Sequence, residues 1–342
     1  MSDLRGGTPS ASTEPVAVIA GFWRRIFALL IDMLLLGAVG IAIGAVAFRQ
    51  VVALGQEGRL IGAAVTLVYY GILNSSWGGG TIGKRAMGLR VVGRDGKAIG
   101  LFRSLVRTVV FWTPYYLNGV FFSKIPGLPD DSRILAAAGV LDGMVVFGGL
   151  VFIAYLYLFN TRTRQSLHDL IVGSYVVRSE PTDAPVKARF WPAHLLFASL
   201  LTVILVAVPL GLLAFLWNAG LGTTMSNTEA VQSAVLAYPG VDTASVAVNT
   251  MSMWTSSSGT TTTTTLAVTA GMRVVPVSMT RAENGIAAIV LRKSPSLMGC
   301  QRLSVSVAYG YDLGIFRWTV ADGFAGDLQQ WRERLGPAGG SI

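Results

Sequence analysis

Charge is what this chain has least of. Only 13% of its 342 residues are Asp, Glu, Lys or Arg, about half the share found in ordinary globular proteins. So few charges cannot cover the surface of a water-soluble chain of this length. A surface that meets lipid needs none, and a mean hydropathy of +0.56 fits that setting. Cysteine is nearly absent as well. Cys300 stands alone, which excludes an intrachain disulfide and a cysteine-based metal site; it reads as a small apolar packing residue. No grouping of His, Cys and carboxylates has metal-ligand spacing, and no Ser/His/Asp order survives inspection, so neither a metal, a cofactor nor an enzyme is expected. The chain start has no basic segment followed by a short apolar core, as a cleaved leader would. Residues 1–20, rich in Gly, Ser, Thr, Pro and Ala, read as a disordered tail.

The charge that is present is lopsided, with 27 Lys and Arg against 18 Asp and Glu, a formal net charge of +9. Such an excess can mark nucleic-acid binding. Here the basic residues flank apolar runs and form no compact cluster, so membrane lipids, and no nucleic acid, are the expected partners. Five runs approach the roughly 20 apolar residues that cross a bilayer: 26–48, 60–77, 104–122, 134–159 and 190–217. The third is the weakest, with Arg107 near its start and Pro114 in its middle. If the N-terminus is cytoplasmic and all five cross, 15 basic residues between Arg5 and Arg189 lie inside. Only Arg49, Arg59, Lys124 and Arg133 then occupy the short outer loops. That bias predicts a multi-pass cell-membrane protein whose C-terminal part is extracytoplasmic. Tyr, Trp and Phe near the run ends, such as Trp77 and Trp217, read as interfacial belts, and His194 as an interfacial residue.

From about residue 220 the texture changes. Ser226 and Glu229 have capping-box spacing before a helical stretch to Tyr238. Alternation at Val246, Val248 and Thr250, at Leu266, Val268 and Ala270, and at Val275 and Val277 predicts strands. Ser256 to Thr265 reads as a flexible hairpin tip. A helix over 282–292, strands over 303–309 and 315–321, and a last helix over 326–335 complete the order. The fold expected is therefore a membrane all-α helical bundle of about five transmembrane helices, followed by a soluble α+β domain (220–342) with an antiparallel sheet.

Three separated motifs carry the chemistry. Phe22-Trp23-Arg24-Arg25 opens the first run, which continues to Asp32. Seven residues separate Arg25 from Asp32, placing both on one helix face about 10 Å apart along the axis. Trp77-Gly78-Gly79-Gly80-Thr81-Ile82-Gly83-Lys84-Arg85 follows the second run, and continues to Leu89-Arg90-Val91-Val92. Gln165-Ser166-Leu167-His168-Asp169 follows the fourth, ahead of Gly173 and Val176-Val177. Over residues 21–178 these motifs resemble the RDD family of membrane proteins, whose name denotes one arginine and two aspartates. The matching positions are Arg25, Asp32 and Asp169. The resemblance implies a multi-span membrane domain with a polar set inside it, and some members of the family are linked to ion transport such as sodium/proton antiport. The fifth run (190–217) and the domain over 220–342 lie beyond the resemblance.

A carboxylate at the depth of Asp32 costs on the order of 3 kcal/mol on insertion scales. Two readings stand for it: a proton or cation site, or a lock that pairs with Arg25, Lys84 or another loop cation. Asp169 reads as closing back on Arg25, and His168 beside it either as a hydrogen-bonded surface group or as a group that tunes its protonation. Asp142 is either a second buried carboxylate or a loop residue at the edge of its run. Residues 78–84 satisfy GxxxxGK, but Arg85 stands where Ser or Thr would hold magnesium, and a membrane run precedes it. The glycines there read as a tight turn, with Lys84 and Arg85 among lipid headgroups. Two functions follow. One is transport of ions or small solutes with proton or cation coupling through the intramembrane carboxylates. The other is a membrane-anchored assembly, sensing or binding protein that presents its C-terminal domain to a protein partner. Five spans make a thin wall for a pore, so a homo-oligomer accompanies the first.

Overall fold

The computed structural model describes residues 16–118, 141–179, 183–216, 222–255 and 259–336. The chain divides into two compact units. The first takes its described residues from Met1–Leu34, Thr66–Asn118 and Ala136–Ile204, and the second from Leu35–Val65 and Leu205–Ile342.

The chain opens with helix α1 (Phe22–Val46), 25 residues without a proline. Inside lipid only a helix satisfies such a run's backbone groups from within. Helix α2 (Phe48–Leu54), a 3-10 turn (Gly55–Glu57) and α3 (Gly58–Leu73) make the second long apolar segment. Short α4 (Ile82–Ala86), strand β1 (Leu89–Val92) and α5 (Leu101–Leu117) follow. Then come α6 (Leu141–Phe159), which contains a π-helical turn at Met144–Gly148, α7 (Leu167–Val172), β2 (Tyr175–Arg178) and α8 (Ala193–Leu216). Among the described residues three segments are long and apolar enough to cross a membrane: Phe22–Val46, Phe48–Leu73 and Leu141–Phe159. Their outer faces are apolar and open; Leu34, Leu60 and Phe147 are more than three-fifths exposed. That is the surface expected where lipid replaces water.

Several sequence boundaries shift. The tail expectation over 1–20 fails for its last residues. Ala20 N donates to Val176 O at 2.9 Å and Arg178 N donates to Val18 O at 2.9 Å, so residues 17–20 run beside β2. Their side chains are apolar, which suits this pairing better than a disordered tail. β1 and β2 form an antiparallel ribbon, Leu89 opposite Arg178 and Val92 opposite Tyr175. It joins two of the motif segments. Helix α3 ends at Leu73, before the predicted limit of 77, because the chain turns through Gly79 and Gly80 (φ +70° and +152°). Asp142 is half-buried in the described part of α6. Residues 119–140, which hold the start of the fourth run and the end of the third, lie outside the described residues.

In the second unit the order is α9 (Gly222–Leu236), β3 (Val241–Thr255), β4 (Gly259–Met272), α10 (Met279–Lys293), β5 (Arg302–Asp312), β6 (Arg317–Gly326) and α11 (Leu328–Leu335). The sheet order is β3-β4-β5-β6, but the antiparallel expectation is only partly met. β3–β4 and β5–β6 are antiparallel hairpins, whereas β4 and β5 run parallel. Helix α10 returns the chain across the sheet, so β5 sets out from the same end as β4. The parallel register places Leu266 beside Leu303 and Val268 beside Val305. These residues face Val235, Ile286, Val290 and Trp331 from the three helices in one core. Three further expectations are corrected. Val275 and Val277 are not in a strand, since Pro276 breaks the alternation between them. Gly259 to Thr265 is strand, paired through the register from Thr255–Gly259 to Asn249–Thr265, and residues 256–258 of the expected tip lie outside the described residues. Helix α9 begins at Gly222, so Ser226 lies inside it and is not its cap. The β5–β6 turn packs Tyr311 and Leu313 against Val51 and Val52 of α2. A Cβ at Gly62 would collide with the Leu313 carbonyl, so only glycine fits there.

Candidate functional site

The first unit buries a set of charges drawn from all three motifs. Helix α1 carries Arg25 and, two turns on, Asp32; Arg25 is 7% exposed and Asp32 fully buried. Helix α7 presents Asp169, also fully buried. Its Oδ2 accepts from Arg25 Nη2 at 2.9 Å, and its Oδ1 accepts from Arg107 Nε at 2.8 Å and Ser174 Oγ at 2.8 Å. Arg25 also donates through Nη1 to the Arg164 carbonyl. Gly173 ends α7 in the left-handed conformation, which brings Ser174 back over Asp169. Arg103 Nε covers the free Val172 carbonyl at 2.9 Å, a cationic C-terminal cap. Asp169 is thus the anion that holds α1, α5 and α7 together.

Asp32 has a different environment. Its Oδ1 accepts from Tyr69 Oη at 2.7 Å and from Gly83 N at 2.7 Å, and its Oδ2 accepts from Thr81 Oγ1 at 2.6 Å. Among the described residues no cation pairs with it, so the lock with Arg25 or Lys84 expected of it is not what forms. Arg25 is taken by Asp169 instead. Thr81 caps α4 by accepting from Lys84 N at 3.3 Å. That cap turns the Lys84 side chain inward, its Nζ 3.4 Å from Thr81 Oγ1 and 5.5 Å from the Tyr70 ring centroid. Gly83 is needed because a Cβ would strike the Ala28 carbonyl and sit 2.8 Å from Asp32 Oδ1.

These groups border a cavity of about 380 Å³. Its polar wall includes Arg25, Asp32, Lys84, Arg107 and His168, with Tyr70, Thr108, Trp112 and Tyr157. Its apolar wall includes Ile26, Leu29, Phe111, Leu150, Ile153 and Leu158. Arg85 is exposed and donates to the Gly78 carbonyl, outside this set. Asp142 does not border the cavity either. Lys84, expected among headgroups, is half-buried in the wall because of the Thr81 cap. Arg107 is the main residue that sequence reasoning passed over. A lone arginine inside an apolar run was the available signal, but its place near the run start made it look like flanking charge. Tyr69 and Tyr70 carried no signal beyond an aromatic pair in a span.

Titration follows from this packing. Burial favours a raised Asp169 carboxyl, but Arg107 and Arg25 outweigh it and hold the group well below the usual carboxylate range. Burial, together with the Arg107 charge, lowers Lys84 to about 7 against the pull of Asp32. Burial likewise lowers His168 to about 3, against the pull of Asp169 and with Arg107 and Arg25 assisting. A depressed His168 stays neutral when folded and takes a proton when unfolded, at an ordinary value of 6.5. Its contribution to stability is complete above pH 6.5 and is lost as pH falls toward 3, by up to about 1.4 kcal/mol per pH unit. Thermal unfolding in detergent is expected to show a falling Tm from pH 6.5 to 4.5 in wild type and a flatter profile in His168→Gln. Parallel profiles would contradict the assignment.

A helical membrane region with buried, paired charge and a cavity among its helices, joined to an α+β part, is the class of protein that this fold and site define. Residues 19–173 match the model of the RDD family. That region belongs to the RDD family, and the chain carries an extra C-terminal region beyond it. Uncharacterized protein YckC of Bacillus subtilis (strain 168) is 27% identical over 170 residues, which cover 49% of this chain and 91% of YckC. No solved structure matches the chain.

Proposed function

We propose that this membrane protein moves a small solute or ion across the bilayer, coupled to protons through Asp32. The observation that carries the reading is the contrast between the two family carboxylates. Asp169 is clamped by two guanidinium groups and stays charged, whereas Asp32 borders the cavity and has one oxygen that can take a proton. Gly83 N–H can only donate, so Oδ1 remains an acceptor. Oδ2 meets the Thr81 hydroxyl, and a hydroxyl can donate or accept. Thr81 also lies within reach of the Lys84 ammonium. A proton passed from Lys84 Nζ to Thr81 Oγ1, with the hydroxyl proton going to Asp32 Oδ2, leaves a neutral amine and a neutral carboxyl. Two separate buried charges are thereby exchanged for two neutral groups, which costs less where water is scarce.

The reading includes five crossings, a cytoplasmic N-terminus and an extracytoplasmic C-terminal part in the cell membrane. It includes a homo-oligomer and assigns the chain no catalysis. The test uses purified protein in vesicles loaded with a pH-sensitive dye. Sodium, potassium, inorganic phosphate or decyl phosphate is added as the driving solute. At least one is expected to drive proton movement in wild type, and Asp32→Asn is expected to bring it down to the level of empty vesicles. Wild-type rates equal to those of empty vesicles with all four, or an Asp32→Asn rate equal to wild type, overturn the reading.

A further inference from the structure

We infer that the cavity binds an anionic amphiphile, a phosphate- or carboxylate-headed molecule with a single apolar chain; the inference rests on the transport reading only for what happens after binding. Three observations carry it. The first is charge. Arg25, Lys84 and Arg107 border the cavity, and the carboxylates that answer them are Asp32 in the wall and Asp169 behind it. With Lys84 charged, or with its proton moved to Asp32, the cations exceed the anions by one, so a cationic guest meets repulsion and an anionic one completes the set.

The second is an unmet demand for hydrogen bonds. Tyr70 Oη, Trp112 Nε1 and His168 Nδ1 are buried with no hydrogen-bond partner among the described residues, and all three residues border the same cavity. Tyr70 is 5% exposed and His168 3%. Buried polar atoms in native proteins are almost always partnered. An indole N–H can only donate, so the partner of Trp112 must bring an acceptor oxygen. A hydrocarbon guest would leave all three unmet; the oxygens of a phosphate or carboxylate answer the Tyr70 hydroxyl and the Trp112 N–H, whereas His168 Nδ1, on a neutral ring whose Nε2 faces Asp169 Oδ2 at 3.4 Å, is an acceptor that they do not answer.

The third is the rest of the wall. Ile26, Leu29, Leu150, Ile153 and Leu158 give no polar contact, and a small inorganic anion would leave them uncovered. About 380 Å³ lies within the range of roughly 300–1,000 Å³ that small-molecule sites occupy. A head among the basic groups and a chain along the aliphatic ones uses both parts of the cavity. Coupled to a proton on Asp32, such an anion would cross without net charge.

The test uses the full chain in nanodiscs of phosphatidylcholine, with a bromine-tagged alkyl phosphate as probe and quenching of tryptophan emission as readout. Saturable quenching that disappears in Trp112→Phe is expected. Lys84→Gln is expected to weaken it about tenfold, the loss of one charge-assisted contact. Ile153→Phe, which fills the aliphatic part without adding a tryptophan and spares every charge, is expected to weaken it too, and so covers the case in which Lys84→Gln fails to fold. Equal quenching by the tagged alcohol of the same chain overturns the anionic head. Displacement by inorganic phosphate at the same concentration as by untagged alkyl phosphate overturns the apolar chain. Lysophosphatidylglycerol in the disc that displaces the probe identifies a single-chain bilayer lipid as the source, and failure to displace it identifies a free amphiphile; both keep the site. Saturable binding without proton movement in the vesicle assay removes the transport reading alone. Proton movement with sodium but no quenching removes the amphiphile alone.

Discussion

Asp169→Asn destabilises the first unit by about 3–5 kcal/mol, the cost of leaving a buried charge without its partner. The carboxylate is fully buried, and Arg25 and Arg107 both spend hydrogen bonds on it. Asparagine keeps the shape but answers two guanidinium groups with one neutral oxygen, and its amide meets them donor to donor. Neither arginine can shed its proton to escape, so the helices must part or admit water. Thermal unfolding in detergent measures the loss directly. Adding Arg107→Met to Asp169→Asn is expected to restore part of it, because one unpaired charge goes with it. A double variant no more stable than the single one would show that the helix contact fails for another reason.

Trp331→Ala is the matching experiment in the second unit, with an expected loss of about 3–5 kcal/mol. Trp331 is fully buried, donates from Nε1 to Leu303 O at 2.9 Å, and meets the Phe324 ring edge-on at 4.9 Å between centroids. Truncation leaves a cavity under β5 and an unanswered carbonyl. Limited proteolysis is expected to cut the variant faster between residues 222 and 336, whereas Trp331→Phe, which keeps most of the volume, is expected to stay close to wild type. Rapid cutting of both would place the weakness elsewhere in the sheet.

Much of this was legible before any coordinates. Apolar runs are a direct consequence of the solvent that surrounds them, so segments within Phe22–Val46 and Leu141–Phe159 announce themselves. Arg25 and Asp32 share a face by spacing alone, and Asp169 stood out through the Gln165-Ser166-Leu167-His168-Asp169 motif and the family resemblance it carries. Their partners were harder to read. Pairing with a cation was one of the two readings of Asp32, yet the electrostatic need of a carboxylate is met as well by two hydroxyls and one backbone N–H, and those residue types carry no charge to mark them. Arg107 was visible as an arginine in an apolar run, but a flanking charge and a buried one look alike when the end of the run is ill-defined. In the second unit, alternation marked strand faces at Leu266, Val268 and Ala270. It says nothing about strand direction, which depends on the path of α10. The threonine tract reads as a loop by composition, although β-branched residues are good strand formers, and Thr260 to Thr265 pair with β3.

The claim at the centre is that Asp32, and not Asp169, exchanges a proton. Infrared difference spectroscopy of the purified protein, acidic minus neutral, reads carboxyl protonation directly. A protonated-carboxyl band that vanishes in Asp32→Asn and persists in Asp169→Asn is the predicted result. A band untouched by Asp32→Asn, or removed by Asp169→Asn alone, would contradict it.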